Sequence, residues 1–267
     1  MNTITSRDGT IIAFDRIGEG PALILVGGAS SQRKDATPMA EYLAPKLHFT
    51  IYSYDRRGRG DSGDTAPYAV EREVEDIAAL IADAGGSAYV FGHSSGAVLA
   101  LEAARLLGNA IPKLALYEPP FIVDDSRPPV PRDYVEHLDE LIAAGRRGDA
   151  LEYMMTRAVG MPAEMVAAMR SDPMWPGLEA VAHTLAYDGT IMGDTMRGNP
   201  APLKRWASVT TPTLVMDGGE SPAFMHSGAR ALVDVLPHAQ LRTLTGQTHG
   251  AAPEVLAPVL EQFFLGQ

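Results

Sequence analysis

The sequence predicts an α/β fold, with helices covering both faces of a mostly parallel sheet. Short apolar runs alternate with stretches of helical periodicity along most of the 267 residues. The run Ala22–Val26 contains no polar residue, as expected of a strand that is buried on both faces. A chain of this length, with 46% hydrophobic and 21% charged residues, is long enough to bury the core of one large domain.

The chain begins with a predicted antiparallel hairpin, because two alternating segments, 2–6 and 10–17, meet at the turn-forming dipeptide Asp8-Gly9. The parallel part of the sheet follows, which makes eight strands in all. The further predicted strands are 22–26, 49–54, 88–91, 113–117, 213–216 and 240–244, and the predicted helices between and after them are 38–47, 70–84, 95–107, 224–236 and 253–264.

One long region interrupts the alternation. Residues 119–207 contain no convincing strand, and prolines and glycines divide them into helix-like pieces. We therefore expect a helical insertion over 119–207 in a core formed by 1–118 and 208–267. The insertion is rich in methionine, which packs irregular gaps well, so these side chains are expected to form its small core and in part to line an apolar pocket: Met154, Met155, Met161, Met165, Met169, Met174, Met192 and Met196.

Composition excludes several classes of function. The formal net charge of −11 argues against nucleic acid or an anionic membrane as partner, since both require a basic surface. No apolar run reaches the length of a membrane span, and the first residues lack the features of a secretory signal. The absence of cysteine excludes disulfides and thiolate chemistry. We expect a soluble, cytoplasmic protein that needs neither metal nor cofactor.

The motif Gly92-His93-Ser94-Ser95-Gly96 is the strongest functional signal, because it lies between a predicted strand and a predicted helix. A serine hydroxyl needs a base to take its proton and a third group to orient that base. His249 is the best base, since it lies in a loop after the last predicted strand. His93 is expected to act in packing or orientation, and the remaining histidines to be structural: His48, His137, His183, His226 and His238.

With this serine turn, the late histidine loop and the segment 55–62 (DRRGRGDS), the chain resembles the α/β-hydrolases. The resemblance implies their eight-stranded, mostly parallel sheet, with the helical insertion in the place of their cap. It also implies an oxyanion hole formed by the backbone N–H groups of Ser95 and Ala29, with Gly28 as the neighbouring possibility. Many relatives have His-Gly where this chain has Gly27-Gly28, so we expect a more pliable loop here.

The acid of the triad is not at its usual position, since Ser221 stands where many relatives carry an aspartate. Some branches of the family, notably haloalkane dehalogenases, carry the acid after an earlier strand. Glu118 follows the strand 113–117 and is locked by two prolines, so we predict Glu118 as the acid. Glu220 and Asp217 are the alternatives.

A serine nucleophile indicates acyl transfer, because epoxide hydrolases and haloalkane dehalogenases use an aspartate there. We predict a serine hydrolase that cleaves a carboxylic ester, thioester or lactone of a small to medium apolar substrate. Perhydrolysis, carbon–carbon bond hydrolysis, a lyase reaction and a non-catalytic binding role are the alternatives. The arginine-rich segment 55–62 lacks the Gly-Lys-Ser/Thr ending of a phosphate loop, so we expect a turn held by salt bridges. The oligomeric state is left open.

Overall fold

The computed structural model describes residues 1–266, without the side chain of Leu47, and contains one eight-stranded sheet. The strand order is β1-β2-β4-β3-β5-β6-β7-β8; β1 and β2 form antiparallel pairs and all later neighbours are parallel. The strands are β1 (Asn2–Thr5), β2 (Ile11–Ile17), β3 (Ala22–Val26), β4 (Thr50–Tyr54), β5 (Tyr89–His93), β6 (Leu114–Tyr117), β7 (Thr213–Gly218) and β8 (Ala239–Leu244).

Helices cover both faces of the sheet. Apolar side chains of α1 and α10 pack on one face, and those of α2, α3 and α9 pack on the other. This arrangement confirms the predicted fold class. The helices are α1 (Thr37–Leu47), α2 (Val70–Asp83), α3 (Ser95–Leu107), α4 (Tyr134–Ala143), α5 (Arg147–Tyr153), α6 (Ala163–Met169), α7 (Trp175–Ala180), α8 (Leu185–Met192), α9 (Ala223–Val235) and α10 (Pro253–Leu265).

Strand β5 runs two residues further than predicted, and this extension determines where the serine turn lies. Gly92 and His93 pair with Leu116 and Tyr117 of β6, although a glycine and a polar residue are more typical of a turn. The next residue, Ser94, still donates its backbone N–H to the Tyr117 carbonyl at 3.0 Å. The sheet therefore carries Ser94 directly at its carboxyl edge.

Helices α4 to α8 lie between β6 and β7, where the sequence predicts an insertion; its bounds, 119–207, stay a prediction. Apart from a single bridge between Ile122 and Met196, this region consists of helices and loops. The expectation that its methionines form a core is only partly right, because Met165 and Met174 are 56% and 71% exposed. Three others line a cavity described below: Met154, Met192 and Met196.

Within residues 1–266, none of the helices is both long enough and apolar enough to cross a lipid bilayer.

Candidate active site

Ser94 lies at the junction between β5 and α3, in a backbone conformation that side chains seldom adopt. Its φ is 57° and its ψ is −130°. Such a conformation persists only when the surroundings enforce it, and here the strand, the sharp turn and the helix do so. The turn also needs a glycine at position 96, because a Cβ there would collide with the backbone of Val26 and Gly27. The strained turn leaves Ser94 half-buried at the start of α3, in the wall of a cavity.

His249 lies in the loop between β8 and α10, and its imidazole contacts a buried carboxylate. Its Nδ1 is 2.7 Å from Oε2 of Glu118. Since an ionised carboxylate can only accept, Nδ1 carries the proton in this contact and Nε2 is left as the basic nitrogen. The His249 side chain is 44% exposed, whereas that of Glu118 is 0% exposed. The carboxylate thus holds the ring from inside the protein.

Glu118 follows β6 directly, and three features fix its position. Its φ of 48° lies in the left-handed region, its backbone N–H donates to the Met216 carbonyl at 2.9 Å, and its Oε1 accepts the Gly218 N–H at 2.7 Å. Burial alone would raise the pKa of Glu118, but His249, the neighbouring Ser221 hydroxyl and the Gly218 N–H together lower it below its ordinary value. The carboxyl group is therefore ionised at neutral pH.

The two alternative acids lie elsewhere. Asp217, 2% exposed, is bonded to Nδ1 of His226 at 2.6 Å, and Glu220 is exposed on the turn after β7. Of the three carboxylates that the sequence offers, Glu118 is the one that contacts His249. The pairing of His226 with Asp217 is in keeping with the structural role expected of His226.

Two further side chains hold the backbone of the His249 loop. His93 Nε2 lies 2.8 Å from the His249 carbonyl oxygen, and the Tyr117 hydroxyl donates to the Thr248 carbonyl. Because a carbonyl only accepts, His93 carries its proton on Nε2. Loss of hydration, followed by the nearby His249, lowers the pKa of His93 to about 4, so this imidazole is neutral at pH 7. The sequence pointed to orientation for His93 but gave no signal for Tyr117.

One cavity of about 550 Å³ contains both Ser94 and His249 in its wall, together with Ala29 and Ser95. Among the hydrogen bonds of residues 1–266, none joins Ser94 Oγ to His249; catalytic contacts of this kind often tighten only when substrate binds. Most of the remaining wall is apolar, formed by Val130, Tyr134, Met154, Leu185, Met192, Met196, Phe224 and Met225.

The arginine-rich segment 55–62 forms a turn held by ion pairs, as predicted. Arg56 binds Glu73 through two hydrogen bonds, and Arg57 binds Asp76 in the same way. Asp188 of α8, which the sequence did not single out, binds both Arg56 and Arg59. In the part of the chain that the structure describes, no group of three or more His, Asp or Glu side chains is arranged to hold a metal ion.

Comparison with known proteins gives matches over nearly the whole chain. A model of the alpha/beta hydrolase family matches residues 23–259. An alpha/beta hydrolase from Sphaerobacter thermophilus DSM 20745 has a similar structure, with a TM-score of 0.90 and 58% identity over 98% of this chain and 100% of that one. A pimeloyl-[acyl-carrier protein] methyl ester esterase from Xanthomonas campestris pv. campestris (strain B100) is 28% identical over 245 residues, 88% of this chain and 90% of its own.

A more distant match shares the fold alone. A thermophilic esterase from Thermogutta terrifontis has a TM-score of 0.72 at 22% identity, over 99% of this chain and 98% of its own.

Proposed function

This chain belongs to the alpha/beta hydrolase family and is a hydrolase; we propose that it cleaves a carboxylic ester of a small to medium apolar substrate through an acyl-enzyme on Ser94. The observation that supports this proposal best is the contact between His249 Nδ1 and the buried Glu118 carboxylate, beside the cavity that also contains Ser94. A serine at a strained turn and an oriented imidazole in the same cavity are the nucleophile and the general base that acyl transfer requires.

In the proposed acylation step, Ser94 Oγ attacks the ester carbonyl while His249 Nε2 takes the serine proton. The charge that develops on the carbonyl oxygen is stabilised by the backbone N–H groups of Ala29 and Ser95. Glu118 remains ionised and stabilises the imidazolium. His249 then gives its proton to the departing alkoxide, so the alcohol leaves and the acyl group stays on Ser94.

Deacylation repeats these steps with water as the nucleophile. His249 Nε2 takes a proton from water, the hydroxide attacks the acyl carbonyl, and Ser94 leaves with the proton that His249 returns. The products are the carboxylic acid, the alcohol and the regenerated enzyme.

The proposed substrate class rests on the cavity. Its volume of about 550 Å³ is in the usual range for sites that bury a small molecule, and its wall is mostly apolar. Methionines in the wall can adapt to acyl groups of different shape. We assign the role of a cap to residues 119–207, which supply much of this wall. The Xanthomonas relative is named for ester cleavage, which is in keeping with this reaction.

Labelling with a fluorophosphonate probe tests the nucleophile, because such probes react with activated serines. We expect one label per chain on Ser94 of the wild type, located by peptide mass spectrometry, and no label on Ser94→Ala. A folded wild-type protein that remains unlabelled at Ser94 would remove the serine-hydrolase proposal.

A panel of p-nitrophenyl and methyl esters, thioesters and lactones, varied in chain length and ring size, tests the substrate class. We expect turnover of apolar acyl groups of small to medium length by the wild type, and the loss of at least about 10⁴-fold in kcat with Ser94→Ala. Labelling without turnover of any acyl compound would leave the nucleophile but overturn the proposed reaction.

A further inference from the structure

We propose that Arg59 is a positioning residue for the oxyanion hole and that Asp188 of α8 holds it in place. This inference rests on the proposed function, since it concerns the N–H groups that would stabilise the oxyanion. Arg59 lies in the turn after β4 and touches neither Ser94 nor His249 through the hydrogen bonds of the described chain. It acts on the loop beside Ser94.

All three nitrogen atoms of the Arg59 guanidinium donate hydrogen bonds, and the side chain is 1% exposed. Nη1 donates to the Gly28 carbonyl at 2.7 Å, Nη2 donates to Asp188 Oδ2 at 2.6 Å, and Nε donates to the Thr184 hydroxyl at 3.0 Å. Planar guanidinium groups make such multiple contacts in a fixed geometry. Asp188 of α8 and Thr184 of the preceding turn thus hold the Arg59 guanidinium, and its Nη1 binds the loop beside Ser94.

The Gly28 carbonyl belongs to the same peptide unit as the Ala29 N–H. A peptide unit is planar and trans, so its C=O and N–H point in opposite directions. Fixing the Gly28 oxygen against Arg59 therefore fixes the direction of the Ala29 N–H, which is the proposed oxyanion donor. A charged donor on the carbonyl also polarises the peptide and makes its N–H a stronger donor.

The loop needs this contact because it has little else to hold it. Gly27 and Gly28 have no side chains, and Gly28 lies so close to the nucleophile that a Cβ there would be 2.9 Å from Ser94 Cβ. A bulkier residue that could anchor the loop by packing does not fit at position 28. The Gly28 oxygen accepts only one further hydrogen bond in the described chain, from the Ser31 N–H at 3.3 Å. The glycine pair alone predicts a pliable loop, and the hydrogen bonds from arginine side chains restrain it.

Asp188 links the two halves of the proposed oxyanion hole. Its Oδ1 accepts the Ser95 hydroxyl at 2.7 Å, and its Oδ2 binds Arg59. The same Oδ1 accepts Arg56 Nη1 at 2.7 Å, and that nitrogen is 3.3 Å from the Gly27 carbonyl. Burial would raise the pKa of Asp188, but the charges of Arg59 and Arg56 lower it overall, so the carboxylate is ionised at neutral pH. Through Asp188, α8 thereby holds both proposed oxyanion donors in place, the N–H groups of Ala29 and Ser95.

Arg57 provides a matched control because it is in the same turn, is 0% exposed and makes a comparable set of contacts. Its partners are Asp76, Asp8 and the Arg72 carbonyl, none of which belongs to the loop beside Ser94. Loss of either arginine removes a buried ion pair and lowers stability, but only the loss of Arg59 releases the Gly28 carbonyl. A comparison of the two variants separates positioning from stability.

The test compares Arg59→Met, Arg59→Lys and Arg57→Met on one activated ester, with each protein's fold checked by circular dichroism and its active sites counted with the fluorophosphonate probe. For Arg59→Met we expect kcat per active site to fall about 10²-fold or more while KM stays within about 3-fold, as when an oxyanion donor is lost. Arg59→Lys, which keeps a charged donor, should recover part of that loss. Arg57→Met should keep kcat within about 3-fold.

A second readout is the inhibition constant of phenylboronic acid, whose tetrahedral serine adduct places an oxygen in the oxyanion hole. It should rise for Arg59→Met in parallel with the fall in kcat and stay unchanged for Arg57→Met. If Arg59→Met does not fold, the Lys variants at positions 59 and 57 are compared by the same measurements.

Two outcomes would overturn the inference: a folded Arg59 variant with wild-type kcat and inhibition constant, or an equal loss of kcat in the Arg57 variant. Failure of the proposed function is distinguishable, because then the wild type itself would show no ester hydrolysis, whether or not Ser94 is labelled.

Discussion

Two carboxylate–imidazole pairs lie at the carboxyl ends of neighbouring strands, and only one of them adjoins the proposed nucleophile, Ser94. Glu118 follows β6 and binds His249 Nδ1 at 2.7 Å; Asp217 is in β7 and binds His226 Nδ1 at 2.6 Å. Both carboxylates are buried, at 0% and 2% exposed, and both imidazoles are partly exposed. Distance and burial are therefore nearly the same for the two pairs.

The difference lies in where each imidazole is. His249 is in a loop that lines the cavity with Ser94, whereas His226 is on α9 and is not part of that cavity wall. The His249 loop is also held by His93 and Tyr117 through its backbone carbonyls. A carboxylate–imidazole contact alone is therefore not evidence of a triad; it is the position of His249 beside Ser94 that makes the Glu118 pair part of the proposed triad.

The largest expected difference between the pairs concerns the imidazoles themselves. His249→Ala should reduce kcat by about 10⁴-fold or more, because it removes the proposed base, whereas His226→Ala should leave kcat within about 3-fold. Steady-state kinetics on one activated ester, corrected for the folded fraction, measure both. Similar losses in the two variants would mean that the comparison between the pairs is wrong.

The next effect concerns His93, which supports the His249 loop. Its pKa is lowered from 6.5 to about 4 in the folded protein. Between these two pH values the unfolded chain binds more protons at His93 than the folded protein does. The free energy of unfolding is therefore unaffected by His93 protonation above about pH 6.5 and decreases as the pH falls, by roughly 3 kcal/mol at pH 4.

Urea unfolding of wild type and His93→Gln at pH 7.5 and pH 4.5 isolates this effect, since the other titrating groups are common to both proteins. The free energy of unfolding of the wild type minus that of His93→Gln should be lower at pH 4.5 than at pH 7.5 by more than about 2 kcal/mol. A difference that is independent of pH would show that His93 is not held neutral by the fold.

A smaller effect follows from moving the acid. Ser221 adjoins the Glu118 carboxylate, so an aspartate at position 221 comes close to the imidazole that Glu118 holds. Glu118→Gln/Ser221→Asp should recover about 10-fold in kcat, or roughly 1.4 kcal/mol, relative to Glu118→Gln alone. Ser221→Asp in the wild-type background is the control. No recovery in a folded, probe-reactive double variant would show that position 221 cannot orient His249.

Much of the fold could be predicted because its signals are local. The alternation of apolar runs and helical stretches gives the sheet, and Asp8-Gly9 gives the hairpin turn. Glu118 could also be proposed as the acid, since it directly follows a buried strand and is locked by prolines, and the structure shows that it contacts His249; its catalytic role stays a prediction. Which of the three carboxylates contacts His249 could be seen only in the structure, where Asp217 in β7 binds His226 of α9 instead.

The contacts of Arg59 could not have been predicted from the sequence. Arg59 and Asp188 are 129 positions apart, and Asp188 lies in a helical region with no strand pattern to place it against the sheet. The arginines indicated a turn with salt bridges, but their partners and the contact with the Gly28 carbonyl depend on how α8 packs over α3. Long-range contacts of this kind carry no local signal.

The most direct test of the account is the ratio of kcat/KM for Glu118→Gln to that for Asp217→Asn on the same ester. Both changes neutralise a buried carboxylate that binds an imidazole, so they are matched in chemistry. We predict a loss of about 10³–10⁴-fold for Glu118→Gln, because His249 loses the group that fixes its tautomer, and a change within about 3-fold for Asp217→Asn. Equal effects, or a larger loss with Asp217→Asn, would contradict the account.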